Sequence, residues 1–149
     1  MEQAQDRIIS MRRTFQAPLA LVWQAWTQAE HIANWWGPKG MALSVVEFDF
    51  RVGGKWQYRM PMPNGGEFIS EGEYQEIVEH QKIVTSADFK PMTTGVILHI
   101  EFEADGEQTH MVFKVEHDTA EYARQQQEMG FEKGWGSAFD RLAERLQQS

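Results

Sequence analysis

Apolar residues recur at helical spacing near the end of the chain, at Phe131, Trp135, Ala138, Phe139, Leu142 and Leu146, with charged residues elsewhere on the wheel. The pattern predicts a long amphipathic helix from Gly130 to Ser149 whose apolar stripe needs a partner surface. Almost everything upstream alternates with the two-residue period of strands. Arg7–Gln16 is a first strand with Ile9, Met11 and Phe15 on one face, and Arg13 shares that face. Leu43–Phe50, Lys55–Met62, a strand from Phe68, Gln81–Phe89, Val96–Ala104 and Glu107–His117 follow, with Glu47 and Asp49 pointing away from Val46, Phe48 and Phe50. The partner of the helix is then the open face of one antiparallel sheet, an α+β arrangement.

Helical segments fill the remaining gaps. Pro18, at the first helical position, opens a helix marked by Leu19, Val22, Trp23 and Trp26. Thr27-x-x-Glu30 has the form of a capping box for a second short helix, which carries Ile32, Trp35 and Trp36 and stops at Gly37-Pro38. Adjacent tryptophans cannot face the same way on a helix, so one anchors the core and the other is free to form the lip of a pocket. Asp118-x-x-Glu121 opens a polar helix over Thr119–Met129 that Gly130 closes.

Two turns set the expected registers. A three-residue loop over Asn64, Gly65 and Gly66 pairs Met62 with Phe68, Tyr58 with Gly72 and Trp56 with Tyr74, which leaves Gly72 as a gap on the cavity side. A two-residue Asp105-Gly106 turn pairs Leu98 with Phe113, Ile100 with Met111 and Phe102 with Thr109. All the large apolar groups of that hairpin fall on one face, with His99, Glu101, His110, Lys114 and Glu116 on the other. Gly134 and Gly136 flank Trp135 inside the long helix, where each costs about 1 kcal/mol relative to alanine. Their missing side chains leave room beside the stripe.

The 149 residues suit one domain over residues 1–149, and 42% hydrophobic with 24% charged residues is a globular composition. With no cysteine there is no disulfide framework, thiolate metal site or cysteine nucleophile. The net charge of -8, without a basic cluster, argues against a nucleic-acid partner. No basic and apolar leader or membrane-length apolar run is present, so no membrane partner is expected and a cytoplasmic location is the default. Six tryptophans, nine phenylalanines and eight methionines are a heavy load of the side chains that fill cores and line small-molecule cavities.

Catalytic signatures are scarce. The histidines lack HxxxH or HExxH spacing, so neither a metal nor another cofactor is expected. Gly53-Gly54 lacks the form of a nucleotide-binding loop. No GxSxG elbow or evident nucleophile with a base is present. Glu71 and Glu73 share the outer strand phase and read as a solvated face. Arg13 reads either as a strand-end cation meeting water or a rim carboxylate, or as a cation that orients an acidic ligand.

Arg13-Thr14-Phe15-x-Ala17-Pro18, Val22-Trp23-x-Ala25-Trp26-Thr27, Trp35-Trp36-Gly37-Pro38, Asp49-Phe50-Arg51-Val52-Gly53-Gly54, Gly72-Glu73-Tyr74-x-Glu76-Ile77 and Gly134-Trp135 with Leu142 together resemble the AHSA1-like (activator of Hsp90 ATPase homologue) branch of the START/Bet v 1-like (SRPBCC) superfamily. The resemblance runs over roughly residues 7 to 147. Two turns depart from its usual pattern, at Val52 and at Ile77-Val78-Glu79-His80, where prolines are common. It implies a helix-grip fold, a curved antiparallel sheet wrapped around a long C-terminal helix with a hydrophobic cavity between them. It does not select among the carriers, cyclases and co-chaperone domains of the superfamily.

The leading expectation is a binding protein for a small hydrophobic or aromatic molecule, walled by Trp36, Trp56, Tyr58, Met60, Phe68, Leu98, Phe113, Phe131 and Trp135, with Tyr58, Tyr74 or Arg13 orienting the ligand. A cyclase or hydrolase acting on an aromatic ketone, with tyrosine or arginine polarising a carbonyl, is one alternative. A protein-interaction module like the Hsp90 co-chaperone is another, and a homodimer stays open.

Overall fold

The computed structural model describes residues 4–36, 43–61, 65–90 and 93–147. Gly37, Pro38, Met62, Asn64 and the last two residues of the chain, on which parts of the expected second helix stop, third strand, hairpin loop and final helix fall, lie outside the described residues. After a 3-10 turn at Ala4–Arg7, the elements in order are β1 (Ile8–Phe15), α1 (Leu19–Thr27), α2 (Ala29–Trp35), β2 (Ser44–Phe48), β3 (Lys55–Pro61), β4 (Glu67–Val78), β5 (Lys82–Lys90), β6 (Thr93–Asp105), β7 (Gln108–Glu116), α3 (Ala120–Glu128) and α4 (Phe131–Gln147). The strands form one antiparallel sheet in the order β1-β7-β6-β5-β4-β3-β2. β2 through β7 pair with their neighbours in sequence, and β7 then pairs with β1. α1 and α2 carry the chain from one edge strand, β1, to the opposite edge, β2.

α4 buries the stripe that its sequence marks. Ala138, Phe139, Leu142 and Leu146 are buried, and Phe131 and Trp135 are partly so. Phe139 packs on Phe113 of β7 at 5.1 Å and on Trp26 and Trp35 of the short helices at 6.2 and 6.4 Å between ring centroids. The long helix is thereby held between sheet and helices, the helix-grip arrangement. Phe139, Leu142 and Leu146 each contribute on the order of 1.5–3 kcal/mol through burial.

Local signals shift by a residue at each helix start. Pro18 is the N-cap of α1, not its first helical residue: it is extended, at φ -65 and ψ 152, and its carbonyl accepts from Leu21 and Val22. Thr27 ends α1 and Gln28 is the N-cap of α2, so the Thr27–Glu30 capping box does not form. At α3 the cap is Thr119, whose hydroxyl accepts from the Tyr122 amide at 3.1 Å, in place of Asp118. Gly130, at φ +96, closes that helix as expected.

Both expected hairpin registers are displaced by two residues. β3 and β4 pair Met60 with Phe68, Tyr58 with Ser70 and Trp56 with Gly72. β6 and β7 pair Leu98 with Val115, Ile100 with Phe113 and Phe102 with Met111 around a Gly106-Glu107 turn. Gly106, at φ +61, takes the first central position, where glycine carries no steric cost. A two-residue slip preserves which face each side chain occupies, so the core face is as expected in both hairpins. In β2 the alternation breaks: a bulge between Val45 and Glu47 turns Val46 outward, 55% exposed, and leaves Val45 and Phe48 packed against the core.

The slip changes the meaning of Gly72. It stands opposite Trp56, and a Cβ there would lie 1.9 Å from the Ser86 carbonyl oxygen and 2.9 Å from the Trp56 indole. The expected gap is filled by that ring.

Candidate functional site

Trp36 is the hinge of the site. As the C-cap of α2 it leaves the helix in an extended conformation, at φ -68 and ψ 133. That release lets both adjacent tryptophans turn inward, with ring centroids 5.6 Å apart. Trp35 is anchored by its Nε1, which donates to the Ala25 carbonyl at 2.9 Å. Trp36 lies against Tyr58, Trp135 and Trp56 at 5.1, 5.4 and 5.7 Å, and its Nε1 donates to the Ser70 hydroxyl at 3.4 Å.

Behind Trp36 the interior is nearly full. Trp26, Ile32, Trp56, Tyr58, Tyr74, Ile83, Thr85, Leu98 and Ile100 surround a void of about 20 Å³, room for a single water. The Trp56 Nε1 donates to the Thr85 hydroxyl at 2.8 Å, and that hydroxyl also bonds the Glu73 and Ser86 carbonyls. Trp26 borders the void with a buried Nε1 that has no partner among the described residues. Burial pushes the Tyr58 and Tyr74 phenols above their ordinary value, and the proximity of Tyr74 raises Tyr58 further. Both are therefore protonated at physiological pH and can donate but not act as bases.

In front of Trp36 the molecule opens into a groove of about 490 Å³. One wall comes from Met60 of β3, Phe68, Ile69 and Ser70 of β4 and Phe89 and Lys90 of β5. The other comes from Gln126 and Met129 and the start of α4, where Phe131, Lys133, Gly134, Trp135, Ser137 and Ala138 line it; Val96 and Val115 form part of the floor. A Cβ on Gly134 would meet nothing within 4 Å, so the room that this helical glycine leaves opens into the groove.

The expected wall residues thus divide. Trp36, Met60, Phe68, Phe131 and Trp135 come together around the groove. Trp56, Tyr58, Tyr74 and Leu98 sit behind Trp36. Phe113 is fully buried beneath Trp135, with ring centroids 4.6 Å apart. Arg13 borders neither space; it forms an ion pair with Asp140 of α4, the rim-carboxylate arrangement open to it from sequence. Phe89, Ile69 and Lys90 join the groove from a strand end that the alternation pattern assigned no special role.

Histidines and carboxylates settle on surfaces. Thr14 Oγ1 lies 2.9 Å from His110 Nδ1, and His110 Nε2 lies 2.9 Å from Asp105 Oδ2, a hydroxyl–imidazole–carboxylate chain created by the β1–β7 register. Its members are on the solvated outer face, His110 41% exposed, which makes it a cross-strand surface network. Glu71 pairs with Lys90 at 2.8 Å and accepts from Gln57 at 2.7 Å, contacts that hold its carboxyl below the usual value. No group of three or more metal-ligating side chains occurs among the described residues, and no helix among them is long and apolar enough to cross a membrane.

The same architecture recurs in solved structures. A protein from Nitrosomonas europaea superposes with a TM-score of 0.83 at 26% identity, covering 96% of each chain. One from Mycobacterium smegmatis gives 0.86 at 21% identity over 99% of this chain and 96% of its own. A Rhodobacter sphaeroides protein gives 0.88 at 16% identity over 98% and 96%. At the latter two identities the likeness concerns the fold alone. No curated protein matches the chain. The family described as Activator of Hsp90 ATPase homolog 1-like protein matches residues 16–147, most of the chain including every residue of the groove, and the chain belongs to that family.

Proposed function

We propose that the protein binds a small apolar or aromatic molecule in the groove between the β3–β5 strand ends and the start of α4. The supporting observation is the groove itself, an open volume of about 490 Å³ with a largely aromatic and aliphatic wall. That size falls within the range of roughly 300–1,000 Å³ usual for small-molecule sites. Burial of apolar ligand surface against Trp36, Met60, Phe68, Phe89, Phe131 and Trp135 drives affinity, at about 25 cal/mol per Å² removed from water. The Ser70 and Ser137 hydroxyls and the Gln126 amide offer neutral hydrogen bonds for orientation.

Native mass spectrometry of the purified protein, before and after denaturation, tests this reading. A species of a few hundred daltons that leaves on unfolding is the expected result. An apo mass together with no shift in melting temperature across a panel of small aromatic and aliphatic compounds contradicts it, because a ligand that binds only the folded state must stabilise it.

A further inference from the structure

Ser70 is a hydroxyl set into the apolar floor of the groove. It is only 4% exposed, and the register places it opposite Tyr58 of β3 and Phe89 of β5, whose rings lie on the inner face against Trp36. Its side chain therefore shares that face. Trp36 Nε1 donates to the Ser70 oxygen, while the hydroxyl proton meets no acceptor among the described residues. From this we propose that the groove selects an uncharged molecule with a hydrogen-bond acceptor oxygen, a ketone, aldehyde or ester on an aromatic or apolar body, with that oxygen seated on Ser70. The inference rests on the groove being a ligand site, as read above, and adds the chemical class and orientation of the ligand.

A serine hydroxyl has one proton and two lone pairs. The Trp36 indole occupies one lone pair, so the unspent donor is the feature that a ligand can use. A hydrocarbon covering Ser70 excludes water and leaves that donor buried without a partner, at a cost comparable to a lost hydrogen bond. An acceptor oxygen in the same place restores the bond. The other polar side chains of the lining lie further out, with Ser137 exposed and Gln126 half-buried.

Charge favours the neutral acceptor over a carboxylate. A carboxylate could take the same bond, but it would lose its hydration against a floor of Trp36, Phe89, Val96 and Val115 that holds no cation. Lys133 is exposed in the first turn of α4, and Lys90 carries its ammonium to Glu71 on the outer face of the sheet. Apolar contact supplies most of the affinity, and Ser70 supplies the choice of head.

Three probes of like shape separate these parts: 2-acetylnaphthalene, its hydrocarbon counterpart 2-isopropenylnaphthalene, and 2-naphthoate. Their affinities would be measured by quenching of tryptophan emission in the wild type, Ser70→Ala and Ser70→Cys. Ser70→Ala should weaken the ketone about three- to tenfold relative to the hydrocarbon, the scale of one neutral hydrogen bond. Taking the ratio of the two probes cancels any movement of Trp36 that affects both. Ser70→Cys keeps a side chain of similar shape with a poor donor, and should show most of the same relative loss. The carbonyl stretch of bound, isotope-labelled ketone should lie at lower frequency in the wild type than in Ser70→Ala. In the wild type 2-naphthoate should bind more weakly than the ketone. Equal changes for ketone and hydrocarbon in Ser70→Ala, or a carbonyl stretch that the substitution does not move, overturn the Ser70 contact. Naphthoate binding as tightly as the ketone overturns the uncharged class. Each of these results leaves the groove reading intact, whereas failure of all three probes to bind overturns the groove as a ligand site and this inference with it.

Discussion

On one side of Trp36 lies the interior of Trp56, Tyr58, Tyr74, Thr85 and Leu98, with room for about one water; on the other lies a groove more than twenty times larger. Both regions are rich in aromatic residues, so composition does not distinguish them. The difference is made by which side chains meet across the space. Behind Trp36, the Trp56 and Tyr58 rings of β3 pack on each other and on Trp36, and Gly72 gives its place to the Trp56 ring. In front, the facing element is the start of α4, where Gly134 presents no side chain to the opposite wall. Two glycines on the inner surface therefore have opposite meanings: one is a close approach and the other an opening.

Substitutions in the two regions should separate them. Phe113→Ala removes a fully buried ring beneath Trp135 and should cost about 3–5 kcal/mol in urea denaturation. Phe68→Ala, on the half-buried groove wall, should cost far less; equal losses would mean that the groove wall is as tightly packed as the core. Gly72→Ala drives a Cβ into the Ser86 carbonyl and should destabilise by about 2–3 kcal/mol. Gly134→Ala enters open space and relieves the helix of glycine, so a gain of about 0.5–1 kcal/mol is expected. A destabilised Gly134→Ala would show that the helix start is closed against the sheet.

The smallest effect concerns His117, buried at the end of β7 against Tyr122 and Phe131. Burial lowers its pKa, outweighing the hydrogen bonds to the Arg7 and Val115 backbone. The unfolded chain then binds the proton more readily than the folded one. This contribution to stability is full above the ordinary histidine pKa of about 6.5 and is lost as pH falls from there toward the lowered folded value. His117→Gln should flatten the decline in stability between about pH 7 and about pH 5.5, above the range in which carboxylates such as Glu71 titrate. An unchanged slope would assign that decline to other groups.

Much of the fold was legible because face and period are strong signals. The α4 stripe and the inward faces of β3, β6 and β7 follow from spacing alone, since a slip of one residue would expose every apolar group in a strand. A slip of two leaves the faces unchanged, which is why both hairpin registers were displaced with no warning in the pattern. That displacement moved Gly72 from Tyr58 to Trp56 and turned an expected gap into a packed contact. The site was legible only in part for the same reason. Inward-facing aromatics could be named, but whether a ring closes a space or borders one depends on partners far apart in sequence, as with Trp36 against Trp135. The opening beside Gly134 was foreshadowed by a helical glycine with no capping role. The parts played by Phe89 and Lys90 were not, because nothing local marks where a strand ends relative to a helix across the sheet.

The account turns on where the ligand sits, and the two glycines flanking Trp135 offer a matched test. Neither meets an atom within 4 Å, but Gly134 lines the groove and Gly136 does not. Binding of 1-naphthol, followed by quenching of tryptophan emission, would be measured in the wild type, Gly134→Leu and Gly136→Leu. The groove account predicts at least about a tenfold loss of affinity in Gly134→Leu, some 1.4 kcal/mol, with wild-type affinity in Gly136→Leu. Unchanged binding in a folded Gly134→Leu protein would contradict it and place the ligand elsewhere.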